Sequence, residues 1–202
     1  MMPAARESLL DAAYTALARR PWSAVRMVDV AAVAGVSRQT LYNEFGSKEG
    51  LARALVRREA DAYLAGVDRA LAAHSDPRDR LAATVEWTTS TARSNALVRA
   101  MLTGCWSERL PALALSAVPS SSAVPAQRRA DGPLPSPGDF VVLVRDRAVA
   151  ALALSRADTP EVTRACDLVA RIALSCVVAP PARGAVTELV RTALAPSPRI
   201  GV

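Results

Sequence analysis

Four polar side chains lie close together in the segment VDVAAVAGVSRQTLYNEF and have the chemistry needed to recognise nucleic acid bases. They are Arg38, Gln39, Thr40 and Asn43. Side chains of these types form the hydrogen bonds that distinguish base edges in the major groove of DNA. If the segment is helical, they share a polar face that is free to meet such a surface. The pattern predicts a recognition helix.

The apolar residues around this polar set indicate how it is positioned. Leu41 and Phe45 are four residues apart, so that they hold one edge of a helix inward. Before them, small residues such as Ala31 let two helices cross closely, and Gly35 permits a sharp turn. Ser37 has the side chain of a helix N-cap. The segment therefore predicts a helix-turn-helix, with its second helix over Ser37–Phe45.

Composition favours an all-α protein with a basic N-terminal region. The chain has 202 residues, of which 51% are apolar and only 4% aromatic, so its core is built mainly from Ala, Leu and Val, which suits closely packed helices. The net charge is +6, and residues 1–60 hold nine Lys or Arg against six Asp or Glu. This excess favours a polyanionic partner for the N-terminal region.

Hydrophobic periodicity predicts about nine helices, three short ones followed by six longer ones. The fourth is long, carries an apolar residue at about every fourth position, and begins after a cap at Ser47. Asp76 and Pro77 have the residue types that start a helix. The predicted helices cover 6–19, 27–34, 37–45, a span from 48 past 71, 77–95, 97–106, a span from 138, 161–178 and 185–194. Residues 118–138 hold five Pro, four Ser and two Gly and predict a flexible loop.

Several classes of function are not supported by the sequence. Cys105, Cys166 and Cys176 are far apart, so neither a zinc site nor a disulfide framework is predicted, and no cofactor is expected. His74 is the sole histidine and lies in a charged turn without a local nucleophile motif, which argues against an enzyme. The N-terminus lacks the apolar core of a signal peptide, and no apolar run could cross a membrane. We expect a cytoplasmic protein without membrane contact.

The segment VDVAAVAGVSRQTLYNEFGSKEGL resembles the DNA-binding region of the TetR family of bacterial transcriptional regulators, over about residues 5–55. The resemblance implies a helix-turn-helix DNA-binding domain over residues 1–50. It implies a larger helical domain over residues 51–197 that binds a small effector and forms a homodimer. The function implied is a repressor that is released from a palindromic double-stranded DNA operator by its effector.

The same resemblance assigns roles to individual residues. Ser37 would cap the recognition helix, and polar residues of that helix would meet bases or nearby phosphates. Tyr42 matches a tyrosine that touches the phosphate backbone, and Lys48 matches a lysine at the start of the fourth helix, where a phosphate is favoured. The predicted DNA-binding residues are Arg26, Ser37, Arg38, Gln39, Thr40, Tyr42, Asn43 and Lys48.

Three features depart from the family pattern. Val25 and Arg26 stand where a Thr or Ser usually caps the second helix, and Arg26 could contact phosphate by charge instead. The segment RRPW replaces the glycine that commonly ends the first helix. Glu44 would repel phosphate unless it pairs with an Arg or accepts a hydrogen bond from cytosine.

For the effector and the dimer, the resemblance implies regions and the residues suggest candidates. A mostly apolar cavity among the fifth to eighth helices would suit a hydrophobic ligand. Its candidate residues are Trp87, Thr88, Thr91, Met101, Cys105, Trp106 and Phe140. The last two helices carry apolar stripes for dimerisation, at Val162, Val169, Ala173, Val177, Val186, Leu189, Val190 and Ala193. The alternative is a helical small-molecule carrier or interaction protein that does not bind an operator.

Overall fold

The computed structural model describes residues 3–111, 134–152, 159–182 and 184–195. Within these ranges the chain forms nine α-helices and no strand, which confirms the predicted all-α fold. The helices are α1 (Pro3–Arg19), α2 (Met27–Val33), α3 (Arg38–Phe45), α4 (Lys48–Ala72), α5 (Pro77–Ser94), α6 (Ala96–Thr103), α7 (Pro137–Leu152), α8 (Thr159–Val178) and α9 (Ala185–Ala193). A short 3-10 turn, Trp22–Ala24, lies between α1 and α2.

The described residues divide into two compact units. The first comprises the residues up to Ala60 together with 105–111, and the second comprises Asp61–Gly104 and the described residues from Pro135 onward. Helix α4 begins in the first unit and ends in the second. Most of the predicted loop at 118–138 lies outside the described residues, and its last two positions, Pro137 and Gly138, form the start of α7.

The first unit is built from α1, α2, α3 and the first half of α4. Leu9, Leu10 and Ala13 on α1 are buried, as the 3.6-residue period of that helix predicts. Leu51 and Leu55 on α4 are also fully buried. Short helices are unstable alone, so α2 and α3 depend on this shared core for their position.

In the second unit, Tyr63 on α4 is the centre of a buried cluster. Its hydroxyl lies 3.1 Å from the hydroxyl oxygen of Thr88, and its ring meets the edge of Phe140 at a centroid distance of 5.8 Å. Trp87 donates a hydrogen bond from Nε1 to the Tyr63 carbonyl oxygen at 3.1 Å. Burial raises the pKa of Tyr63 to about 12, so the phenol stays neutral and the core carries no charge there.

The helix-start signals read from the sequence are confirmed in detail. The Asp76 carboxylate accepts hydrogen bonds from the backbone N–H groups of Arg78 and Asp79, and Pro77 occupies the first helical position of α5. Ser47 accepts a hydrogen bond from the Gly50 N–H at 3.1 Å and thereby caps α4. These side chains satisfy backbone donors that have no partner inside the helix.

The predicted sixth helix is too long at its C-terminal end. Helix α6 ends at Thr103, because Gly104 adopts a left-handed conformation with φ of 71° and its N–H donates to the Ala100 carbonyl. Cys105 and Trp106 therefore follow the helix and belong to the first unit. A glycine at the end of an apolar helical run is a common C-terminal signal, and it could have located this boundary.

Replacement of Gly50 by alanine is expected to destabilise the protein, although glycine-to-alanine substitutions inside helices usually stabilise. A Cβ atom at this position would lie 1.9 Å from the carbonyl oxygen of Phe45, a backbone atom that cannot move without shifting the end of α3. Alanine normally stabilises a helix by up to about 1 kcal/mol relative to glycine. Here we expect Gly50→Ala to lower the free energy of unfolding by about 1–3 kcal/mol, because the two helices must separate.

Urea unfolding followed by circular dichroism measures this change. Gly138→Ala is the matched control, since its added Cβ would meet nothing closer than the Ser136 hydroxyl oxygen at 3.7 Å. The control is expected to be neutral or stabilising. A Gly50→Ala protein as stable as the wild type would contradict the close approach of α4 to Phe45.

Candidate nucleic-acid interface

The turn between α2 and α3 sets the direction of the candidate recognition helix. Gly35 has a positive φ of 68°, and the Val36 N–H donates to the Ala31 carbonyl oxygen at 3.0 Å. Ser37 then caps α3, since its Oγ accepts the Thr40 N–H at 3.0 Å. The predicted roles of Gly35 and Ser37 in this turn are confirmed.

Helix α3 is held by one edge. Leu41 is fully buried and Phe45 is buried, whereas the side of the helix that carries the polar set is open to solvent. Tyr42 is 40% exposed. The exposed residues of this face are Arg38, Gln39, Thr40, Tyr42 and Asn43. A helix anchored in this way can project its polar face into a groove while its inner edge remains in the core.

The side chains of the polar face differ in how far they are already engaged. Gln39 donates from Nε2 to Oδ1 of Asn43 at 2.8 Å, so the two amides are aligned one turn apart. The hydroxyl oxygens of Ser37 and Thr40 lie 2.8 Å apart. Arg38 has no ion pair or side-chain hydrogen bond to any residue that the structure describes. Its guanidinium is the group on this face that is free to bind an acceptor.

Glu44 does not face the polar surface of α3. Its carboxylate accepts a hydrogen bond from Arg6 on α1 at 2.6 Å, and its side chain is only 7% exposed. The Arg6 guanidinium also lies over the Phe45 ring, 5.0 Å from its centroid. Of the two alternatives for Glu44, the pairing with an Arg is the one observed. The negative charge is neutralised beside α1.

The start of α2 carries a cluster of two guanidinium groups around one carboxylate. Arg26 is the N-cap residue but its side chain does not cap the helix. Instead it binds both oxygens of Asp29, at 3.0 and 3.1 Å, and Arg20 binds the same carboxylate at 3.1 Å. The Arg26 hydrogen bond is the main cause of the lowered pKa of Asp29. The Arg26 side chain is 72% exposed, so its charge remains accessible.

Lys48 is tied to the 3-10 turn that follows α1. Its ammonium donates to the Ser23 carbonyl oxygen at 3.1 Å and lies 5.7 Å from the centroid of the Trp22 ring. The Trp22 ring is buried, and its backbone N–H donates to the Arg109 carbonyl oxygen at 2.8 Å. The segment RRPW thus ends α1 by a turn that Trp22 and Lys48 hold, without a glycine.

Comparison with known proteins relates the sequence of this region to a family. The family model described as bacterial regulatory proteins, tetR family, matches residues 9–55. The chain is 49% identical over 69 residues to the HTH-type transcriptional regulator AlkX of Mycobacterium tuberculosis, a region that covers 34% of this chain and 33% of that protein. Over residues 9–55 the chain therefore matches the TetR family.

Two further comparisons extend this result. The HTH-type transcriptional activator FasR of Mycolicibacterium smegmatis is 41% identical over 81 residues, which cover 40% of this chain and 37% of FasR. The chain thus matches only about a third of the length of its curated relatives. The crystal structure of the TetR family repressor AlkX from a Dietzia strain aligns over 93% of this chain and 92% of its own, with a TM-score of 0.54 and 23% identity, and shows the shared fold.

Sequence reasoning missed the arginines that neutralise the carboxylates of this helix-turn-helix. Arg6 and Arg20 come from α1 and from the residue just after it, far from their partners in the chain. Their spacing along the sequence contains no signal for these pairs, because the pairs form only when α1 packs on the helix-turn-helix. The one indication in the sequence was the carboxylate of Glu44 on a helix predicted to meet DNA, since such a carboxylate requires a basic partner.

The predicted effector residues are divided between the two compact units. Thr88, Met101 and Phe140 are buried, and Thr88 and Phe140 meet at Tyr63. Trp87 and Thr91 are half-buried on α5. Cys105 and Trp106 belong to the first compact unit. Those of the second unit that are buried pack against other protein atoms, as ordinary core residues do.

Other types of site receive no support from the described ranges. Within 3–111, 134–152, 159–182 and 184–195, no three or more His, Cys, Asp or Glu side chains are grouped as a metal ion would require. No described helix has the length and apolar character needed to cross a membrane.

The Arg6–Glu44 pair predicts a loss of stability on removal of the arginine. Arg6→Ala would leave the Glu44 carboxylate nearly buried and without its partner, and we expect the free energy of unfolding to fall by about 1–2 kcal/mol, since Arg6 itself is partly solvated. Chemical unfolding monitored by circular dichroism would measure the loss. Arg19→Ala removes an exposed arginine from the same helix and should change stability by less than about 0.5 kcal/mol. Equal stability of the two variants would show that the pair contributes nothing.

Proposed function

We propose that this protein is a ligand-responsive transcriptional regulator. In this proposal a homodimer binds a palindromic DNA operator as a repressor and is released by a small hydrophobic effector. The observation that supports DNA binding is the solvent-exposed polar face of α3, where Arg38, Gln39 and Asn43 lie opposite a buried apolar edge. Such a face combines a free guanidinium with aligned amides, and these are the functional groups that form hydrogen bonds to base edges.

Phosphate contacts are proposed around this face. Arg26 offers an exposed guanidinium at the start of α2, and Tyr42 offers a phenol on α3. Lys48 is held at the start of α4 and retains part of its exposure. Contacts of this kind fix the register of a protein on DNA, while base contacts give sequence selectivity. The inward pairing of Glu44 favours the proposal, because a free carboxylate there would repel phosphate.

The repressor mode is supported by one structurally similar protein, and a hydrophobic effector by the apolar residues of the second unit. AlkX from the Dietzia strain is described as a repressor implicated in the biodegradation of n-alkanes, whereas FasR is named an activator. We propose the repressor mode for this chain. The core of the second unit is built from aliphatic and aromatic side chains, so a ligand admitted there would meet mostly apolar walls.

The proposed release mechanism uses α4, which contributes residues to both compact units. An effector that binds the second unit and shifts α4 would change the separation of the two recognition helices in a dimer. The helices would then no longer fit successive major grooves. By linkage, the effector must bind the DNA-free geometry more tightly than the operator-bound geometry.

Operator binding is tested by fluorescence anisotropy on DNA from beside the gene of this protein, against random DNA, over a series of salt concentrations. The wild-type protein should prefer its operator and show a steep salt dependence. Arg38→Ala should weaken operator binding by about tenfold to a hundredfold, because a base contact is lost. Arg99→Ala, which removes another exposed arginine, on α6, is the matched control and should change affinity less than about twofold.

The same experiment separates the proposal from its alternative. Equally weak binding of the wild-type protein to both DNAs would contradict operator recognition. It would favour a helical carrier or interaction protein in which the second unit is the functional part.

Dimerisation is proposed through α8 and α9. Several residues of the predicted apolar stripes, namely Val169, Ala173, Val177 and Val190, are buried within the protomer. Leu168 and Leu189, each 43% exposed, and Val178, 66% exposed, remain as apolar surface on these helices. A dimer is also what a palindromic operator requires, since each recognition helix reads one half-site.

Leu189→Glu should prevent dimerisation, because a charge would have to be buried in the apolar contact. Sedimentation velocity would measure the association state, and operator affinity should fall by at least about tenfold as one half-site is lost. Val142→Glu introduces the same charge at a 42% exposed valine on α7 and should leave the dimer intact. A Leu189→Glu protein that remains dimeric would exclude this surface as the dimer interface.

A further inference from the structure

A cavity of about 330 Å³ lies at one end of the second unit. It is formed by the N-terminal parts of α5 and α8, the last residue of α7 and the residue that follows α9. Seven apolar residues line it, namely Pro77, Leu81, Leu152, Val162, Ala165, Cys166 and Leu194. It is separate from the buried cluster around Tyr63, and none of the effector residues predicted from the sequence contributes to its wall.

Apart from Arg78, the residues that line this cavity carry no charge. Cys166 contributes a thiol to the apolar part of the wall. Burial raises the pKa of this thiol to about 11, so that it remains protonated. An uncharged wall of aliphatic side chains favours an aliphatic ligand, because every buried methylene group of the ligand leaves water.

The edge of the cavity holds a guanidinium. Arg78 lines the cavity, is exposed, and forms no ion pair with any described residue. The neighbouring carboxylates are engaged elsewhere: Asp76 accepts the backbone N–H groups that begin α5, and Asp79 binds Arg191 at 2.9 Å. Arg80 donates to the carbonyl oxygens of His74 and Ala151. Arg78 is therefore the cation available to a ligand at this edge.

We propose that this cavity binds a medium-chain aliphatic carboxylate, with its chain against the apolar wall and its carboxylate on Arg78. A water molecule takes about 30 Å³ of liquid volume, so the cavity has room for about ten non-hydrogen atoms. Octanoate has ten non-hydrogen atoms and decanoate has twelve, so carboxylates with chains of this length are of about this size. A guanidinium binds a planar carboxylate through two parallel hydrogen bonds, which gives it selectivity over a neutral head group.

The assignment of this ligand as the effector rests on the proposed function, whereas its binding does not. Helices α5, α7 and α8 all contribute to the cavity, so a ligand there would contact three helices of the second unit at their ends. Direct binding to the full chain without DNA therefore tests the inference separately from operator recognition.

Isothermal titration calorimetry of the full-length protein with decanoate tests the proposal, with decan-1-ol as the neutral probe. Wild-type protein should bind decanoate at least about tenfold more tightly than decanol, because the ionic hydrogen bond is made only by the acid. Arg78→Gln should remove this preference and leave decanol binding unchanged. Arg164→Gln is the matched control, an exposed arginine on α8 outside the cavity wall, and should retain the preference.

A second variant tests the location of the aliphatic chain. Ala165→Leu adds three carbon atoms at the cavity wall, where the half-exposed alanine leaves space, and should weaken binding of both probes by at least about tenfold while the protein stays folded. Unchanged decanoate affinity in Arg78→Gln or in Ala165→Leu would overturn the proposal. So would the absence of decanoate binding to folded wild-type protein at millimolar concentration, whether or not the protein binds its operator.

Discussion

The narrow apolar edge of α3 is the constraint on which the first unit depends. Eight residues are too few to form a stable helix alone, so Leu41 and Phe45 must be held by tertiary contacts. The core that holds them comes from α1, α2 and the start of α4, and Gly50 lets α4 approach the Phe45 carbonyl closely. Since only one edge is buried, the remaining circumference of α3 is free to carry polar residues.

Electrostatics around this helix follow from the same packing. Two carboxylates lie near the helix-turn-helix, and each is bound by arginine from α1 or its C-terminal side: Glu44 by Arg6 and Asp29 by Arg20. The pairs neutralise negative charge close to the exposed face while Arg38 and Arg26 keep theirs accessible. The result is a surface suited to a polyanion, although the first sixty residues contain six acidic residues.

The second unit has a closely packed centre around Tyr63 and a cavity at one end. Tyr63, Thr88 and Phe140 fill the centre with neutral hydrogen bonding and ring contacts. The cavity occurs where helix ends meet, because ends diverge and side chains no longer interdigitate. The packed centre and the cavity are thus formed by different parts of the second unit, and α4 contributes to the buried centre while also forming part of the first unit.

The sequence by itself determined the fold class, the nine helices and the helix-turn-helix, because these depend on periodicity and on capping residues such as Ser37, Ser47 and Asp76 that act locally. It also indicated the exposed face of α3, because burial of Leu41 and Phe45 turns the opposite side of the helix toward solvent. It misjudged the end of α6, where the left-handed conformation of Gly104 removed Cys105 and Trp106 from the helix. Only the tertiary structure decided the pairing of Arg6 with Glu44, the support of Lys48 by Trp22, and the place of the cavity. These depend on contacts between residues distant in the chain, and no local pattern encodes which helices will meet.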